Sequence, residues 1–378
     1  MKIILLAVFL AIAGTSIAEK KIICYYESWA TYRNGAGKYT IEDINVQMCT
    51  HVVYSFIGIN TSGTIKLLDD AENLSKFTSF IKRHPGVKAL ISIGGSSEKS
   101  AKFSNVVRNA GIRATFVKNA VDFLKKYNFD GLDVDWEYPN QGADTLKSDR
   151  ENFVRLLKEL KNAFNGKYSL SAAVAAEANS AKKSYIIPEI SQLLDFINVM
   201  TYDFNGDWNP YTGMNAPLNP TSKEDSYEKT LNVKAAIRYW LSQGAPAHKI
   251  IVGIPFYGRS FTLKDPKDHR VHAPTTGPGK PGQYTKEAGY IGYNELCLYL
   301  KNNDWHVVRD EQQGVPYAYK DNQWISYDDA QSIQRKVEFI NSEKLGGAMI
   351  WPIDLDDFHG NCGKKYPLLS TLYNGLKR

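Results

Sequence analysis

Acidic and apolar residues alternate along 129–139, which reads Phe129-Asp130-Gly131-Leu132-Asp133-Val134-Asp135-Trp136-Glu137-Tyr138-Pro139. Read as a strand, the run turns successive side chains to opposite faces, so Asp133, Asp135 and Glu137 share one face and climb it in steps of ~6.6 Å. A row of like charges in a poorly solvated interior does not ionise together; protons are shared and the pKa values are driven apart. That split is what acid catalysis needs: one carboxyl keeps its proton for a leaving oxygen while its neighbour stays charged. Glu137, last in the row, is the natural proton donor and Asp135 its partner. The plain alternative is an edge strand whose acids face water. A metal site would share this spacing, yet no His accompanies the acids and hard-cation loops distribute their oxygens differently. Neither a metal nor a cofactor is expected.

Such a row has to be held inside something, and the rest of the chain supplies it. Eight short β-rich apolar runs, at 21–26, 51–56, 88–93, 131–136, 168–174, 196–200, 250–254 and 346–351, alternate with longer helical patterns at 111–127, 148–164, 226–243 and 327–342. Several runs are almost continuously apolar, as in strands covered on both faces, and the helical stretches carry apolar positions near a 3.6 period. Alternation of this kind predicts an α/β fold, a (β/α)8 TIM barrel, whose chemistry sits at the C-terminal ends of the strands. Glu137 falls at that end. After the seventh run the alternation breaks: 261–324 is rich in Gly, Pro, Tyr and Asp and too long for an ordinary loop, which predicts an inserted α+β subdomain.

Composition agrees with a globular protein that has a large core: 378 residues, 43% hydrophobic and 23% charged. Met1-Lys2, the apolar run 3–13 and Ser16-Ile17-Ala18 have the parts of a secretory signal peptide, with cleavage expected after Ala18. No later stretch is long and apolar enough to cross a bilayer, so a secreted, extracellular protein without a membrane partner is expected. The net charge of +6 comes from scattered basic residues, without the clustered pattern that tracks a nucleic-acid backbone. Cys24, Cys49, Cys297 and Cys362 are even in number and widely spaced, which suggests two disulfides with three possible connectivities. Asn60-Thr61-Ser62 and Asn73-Leu74-Ser75 are acceptor sequons for N-glycosylation.

The run Asp130-Gly131-Leu132-Asp133-Val134-Asp135-Trp136-Glu137 resembles the signature of family 18 of the glycoside hydrolases, the chitinases. The resemblance extends to Ser92-Ile93-Gly94-Gly95, Met200-Thr201-Tyr202-Asp203-Phe204, Pro255-Phe256-Tyr257-Gly258-Arg259-Ser260-Phe261 and Gly346-Gly347-Ala348-Met349-Ile350-Trp351, so it spans nearly all of the chain. It implies hydrolysis of N-acetylglucosamine polymers with retention, in which the substrate's own acetamido group, not an enzyme carboxylate, attacks the anomeric carbon. Glu137 would act as general acid and base, Asp135 would steady the acetamido N–H with Asp133 beneath it, and Tyr202 would hold the acetamido oxygen. Trp351 would floor the reacting sugar. Tyr26, Phe56, Gly95, Trp136, Met200, Asp203, Trp208, Tyr257 and Arg259, with Trp29, fall at positions resembling sugar-contacting ones, although Trp136 has the alternative of packing outward.

Within 281–295 the insertion resembles the subdomain that deepens the cleft of many chitinases; Glu295 would touch sugar there, or else be a solvated glutamate. The pairing Cys24–Cys49 and Cys297–Cys362 is implied by the same resemblance, as are a chitin or chito-oligosaccharide partner and a monomeric state. Departures are few. Ser96-Ser97 stand where many chitinases place a Trp, Ala175-Ala176 replace a common turn, and Pro352 follows Trp351. Competing readings are a chitinase-like lectin, which typically loses the glutamate retained here, and a glycosidase acting on chitobiose cores of glycoproteins.

Overall fold

The structure, a computed structural model, describes residues 19–302 and 304–377; the expected leader at 1–18 lies outside them. In chain order the elements are β1 (Lys21–Glu27), β2 (His51–Ile59), β3 (Ile65–Leu67), α1 (Ala71–Ile81), β4 (Lys88–Gly94), α2 (Ser100–Arg108), α3 (Ala110–Tyr127), β5 (Gly131–Asp135), α4 (Asp149–Phe164), β6 (Ser169–Ala175), α5 (Ala178–Ser184), α6 (Ile187–Leu193), β7 (Phe196–Met200), α7 (Val233–Ser242) and β8 (Ile250–Pro255). There follow β9 (Tyr257–Leu263), β10 (Thr275–Pro278), β11 (Tyr290–Gly292), α8 (Tyr293–Lys301), β12 (His306–Asp310), β13 (Val315–Lys320), β14 (Gln323–Ser326), α9 (Ala330–Ser342), β15 (Gly347–Trp351) and α10 (Pro367–Leu376).

Eight of these strands close a parallel ring in the order β1-β2-β4-β5-β6-β7-β8-β15 and back to β1. They are the eight expected runs, shifted by a few residues at their ends. Buried apolar side chains divide between the two faces of the ring. Ile23, Val53, Leu90, Phe196 and Ile251 fill the lumen, while a larger cluster, among it Tyr26, Phe77, Phe116, Leu157 and Trp240, lies between ring and helices. At the base two aspartates repeat one device. Asp130 accepts the Ala89 N–H of the preceding strand and pairs with Lys82, and Asp195 does the same with Leu170 and Lys161. Each ties a helix end to the start of a neighbouring strand.

Two helices are shorter than their apolar periodicity suggests, because caps decide where they start. Asn232 accepts the Ala235 N–H and opens α7, and Asp329 accepts that of Ser332 and opens α9.

A second, antiparallel sheet in the order β10-β9-β14-β13-β12, with β11 also on β9, forms the inserted unit together with α8. It begins at Tyr257 and closes at Ser326, a wider span than 261–324, because the chain stays extended as it leaves the barrel: only Phe256 separates β8 from β9, and its N–H donates to the Trp351 carbonyl at 2.9 Å. Both disulfides form in the implied pairing, Cys24–Cys49 and Cys297–Cys362.

Candidate active site

Strand parity and barrel register place the acids. Asp133 sits level with Ser92 on β4 and Ser171 on β6. Those two hydroxyls, the Tyr25 hydroxyl and the Asn198 amide all donate to it, at 2.9, 2.6, 2.7 and 3.2 Å. Burial pushes the Asp133 carboxyl up, and these four donors pull it back. One step higher, Asp135 is 5% exposed and its Oδ1 has no partner among the described residues. Burial first, then the charges of Glu137 and Asp133, push it well above the carboxylate range. Glu137 stands past the end of β5, and burial, helped by the Asp203 charge and opposed by a bond from Tyr138, pushes it up to about 7. The three carboxyls therefore run from Asp133, fully satisfied at the bottom, through Asp135 with an unpartnered oxygen, to Glu137, protonatable at the top.

The row opens into a cleft of about 760 Å³ at the C-terminal end of the barrel. Gly94 and Gly95 let β4 approach it closely. Both have positive φ, a Cβ on Gly94 would lie 2.0 Å from the Asp135 carbonyl, and the Gly95 N–H donates to that carbonyl at 2.9 Å. Trp351 lies across the floor among aromatics, 5.8 Å from Tyr25, 5.6 Å from Phe56 and 6.3 Å from Trp29 between ring centres. Tyr202 reaches in from after β7, its hydroxyl 3.8 Å from the Met349 sulfur. The Asp203 carboxylate receives the Tyr257 hydroxyl and the Arg259 Nε–H, each at 2.7 Å, and so joins the barrel to the inserted sheet. This arrangement can give a proton, take it back and hold a flat-faced ligand over an indole.

Of the residues singled out from sequence, Glu137, Asp135, Tyr202, Trp351, Phe56, Gly95, Met200, Asp203, Tyr257 and Arg259 all line this cleft, with Asp133 directly below. Trp208 stands at its rim, 56% exposed, with the Arg259 guanidinium 5.0 Å from its ring centre.

Three lie elsewhere. Tyr26 points into the layer between ring and helices, stacked on Phe77, and it is Tyr25 that faces the cleft. Cys24, tied outward to Cys49, shares the parity of Tyr26, and that was the signal available in the sequence. Trp136 packs outward for the same reason, between two acids that face inward; it stacks on Phe103 and donates to Ser100 at 2.6 Å. Glu295 is wholly buried and accepts the N–H groups of Tyr284, Thr285 and Gly292, which caps α8 and fastens the loop before it. Its neighbour Glu287 lines the cleft in its place. Glu27, outside the quoted motifs, and Met349 and Tyr290, inside them but given no role there, are further lining residues.

Among the described residues, Cys297, Asp357 and Cys362 come within metal-ligand distance of one another, but their sulfurs are joined as a disulfide and offer no thiolate. Asn60 and Asn73, the sequon asparagines, differ in setting. Asn60 is exposed beyond β2, and Asn73 is half-buried in the first turn of α1 with its amide on Asp69.

Comparison with known proteins adds the wider context. Endochitinase of Manduca sexta is 41% identical, covering 97% of this chain and 69% of that protein. Chitotriosidase-1 of Mus musculus is 40% identical over 94% of this chain and 78% of its own length. Group IV chitinase of Ostrinia furnacalis, solved alone and in complex with allosamidin, superposes with a TM-score of 0.93 at 44% identity, covering 95% of this chain and all or nearly all of that one. Human YKL-39, described as a pseudo-chitinase with retained chitooligosaccharide binding, superposes with a TM-score of 0.89 at 36% identity, covering 95% of this chain and 100% of that one. Residues 21–356 match the profile described as Glycosyl hydrolases family 18, and the chain belongs to that family.

Proposed function

We propose that this protein is a secreted chitinase that hydrolyses β-1,4 linkages between N-acetylglucosamine units with retention of configuration. The observation that carries the reading is the pair at the top of the row: Glu137 with its pKa near 7, above an Asp135 oxygen left without a partner at the floor of an aromatic cleft. Glu137 donates its proton to the glycosidic oxygen as the bond to the anomeric carbon breaks. The acetamido carbonyl oxygen of the same sugar attacks that carbon, and an oxazolinium ion forms. Asp135 accepts the acetamido N–H and balances the growing positive charge, while the Tyr202 hydroxyl holds the acetamido oxygen in line. The Glu137 carboxylate then takes a proton from water as the ring opens, which restores the acid and leaves the β anomer. Asp133, held by its four donors, keeps the base of the row fixed.

A lectin-like reading has one observation in its favour, the likeness to a relative described as a pseudo-chitinase; Glu137, Asp135 and Tyr202, all present, favour turnover. Export is read from the leader at 1–18 and the two disulfides, and we take the mature protein to be a monomer that needs no metal or cofactor.

The test is release of a chromophore from an N-acetylglucosamine oligomer by wild type and Glu137→Gln, with time-resolved analysis of product anomers. Release with β product that is lost in the variant supports the mechanism. Absence of release from folded protein that binds chitin would establish the lectin reading instead.

A further inference from the structure

One wall of the cleft carries a carboxyl that neither the acetamido chemistry nor the aromatic floor employs. Glu27 ends β1 two residues past Tyr25, so parity turns it to the same side, ~6.6 Å nearer the mouth. It lines the cleft although only 4% exposed. Its carboxylate receives one arm of Arg33, whose other arm rests on Asp354. Asp354, fully buried three residues past Trp351, also accepts the Glu27 backbone N–H at 3.2 Å. The loop after β1 is thus already tied to the loop after β15 by Arg33, Asp354 and a backbone amide. A second carboxyl adds desolvation cost to that brace, which one guanidinium compensates incompletely; burial and then Asp354 push the Glu27 carboxyl well up, and Arg33 draws it back.

Resting on the reading of the cleft as a site for N-acetylglucosamine oligomers, we propose that Glu27 is a further sugar-binding residue. Its carboxyl, aimed by Arg33, pairs with a hydroxyl of the unit bound beside Trp29, next to the one over Trp351. Arg33 and Asp354 are positioning residues in this account. The neighbourhood suits such a contact, since Trp29 is 42% exposed at the mouth and offers a stacking face while supplying no acceptor for the hydroxyls at the ring's edge. Phe56, stacked against Trp29 with ring centres 6.1 Å apart, adds a second apolar face, and Ser96 and Ser97 also line the cleft, so the ring hydroxyls of that unit need a polar anchor such as the Glu27 carboxyl.

The experiment is calorimetric titration of chitotetraose and chitohexaose into Glu137→Gln protein, which binds without cutting, and into the same protein carrying Glu27→Gln or Glu27→Thr. The threonine variant is expected to bind about tenfold more weakly, a hydrogen bond to a charged or buried partner being at stake, and the amide, which still accepts from Arg33, to lie between. In protein with Glu137 intact the loss should appear in KM. Unchanged affinity in either variant, with or without a fall in melting temperature, would reduce Glu27 to a brace and overturn the proposal. Failure of either oligomer to bind when Glu27 is intact would overturn the reading of the cleft together with it.

Discussion

Two groups of wholly buried acids in this protein are treated in opposite ways. Outside the barrel, Asp328 meets the Lys336 ammonium at 2.7 Å and the Ser332 hydroxyl at 2.7 Å, and both charged side chains are shielded almost completely from water. Inside it, Asp135 is just as deep, has an oxygen without a partner, and faces two further carboxyls. The first group offsets its own desolvation and does nothing else. The second leaves that cost uncompensated, so Asp135 holds its proton well above the carboxylate range, and a positively charged intermediate beside it would favour the ionised form. Buried acids alone do not mark a site; the missing counter-charge does.

The largest expected effect breaks this contrast at its top. Glu137→Gln should lower turnover ~1,000-fold or more, measured as chromophore release per folded molecule, with the melting temperature unchanged or raised. The stability difference should also depend on pH. In the native state the Glu137 carboxyl is raised from an ordinary 4.5 to about 7, so wild type is penalised progressively as pH rises through that window and the glutamine variant is not. Denaturant midpoints at pH 4 and pH 8 should diverge accordingly, and a constant gap would contradict a raised Glu137. Because the acid form is the one that donates, kcat/KM should decline above about pH 7.

Lys336→Met tests the other half. Stranding Asp328 should cost about 3–5 kcal/mol, read from urea unfolding, while the kcat of the molecules that remain folded is retained; a comparable loss of kcat would show the two groups to be linked. Asp135→Asn sharpens the contrast, since it replaces a carboxyl whose ionised form has no counter-charge: turnover should fall ~100-fold while stability stays equal or rises. The smallest effect is reserved for Trp208→Ala. At an exposed rim position, loss of its ring should raise KM only a few-fold, worth less than ~1.5 kcal/mol.

The barrel was legible because each strand carries its own apolar run, and the acid row was legible because strand parity acts on adjacent residues. What parity could decide, it decided well for Asp133, Asp135 and Glu137. Applied to the neighbouring residues it would also have turned Trp136 outward and exchanged Tyr26 for Tyr25. Glu295 and Glu287 were harder. They lie eight positions apart in an irregular segment, and which of them is buried depends on three backbone N–H groups converging on Glu295, a fact of tertiary structure. Glu27 shares the parity of Tyr25 and has Arg33 six residues on, so its inward direction was open to the same argument; only the tie from Arg33 to Asp354, across most of the chain, needed the tertiary structure.

Only Phe256 separates β8, the seventh strand of the ring, from the sheet that carries Tyr257 and Arg259. A single residue, itself buried and bonded to Trp351, makes a poor hinge. This side of the groove therefore behaves as a fixed bank and not as a door: Asp203 and Arg259 keep their places whatever lies in the cleft, and variation along this edge falls to segments that rise from the bank, such as 282–289 between β10 and β11.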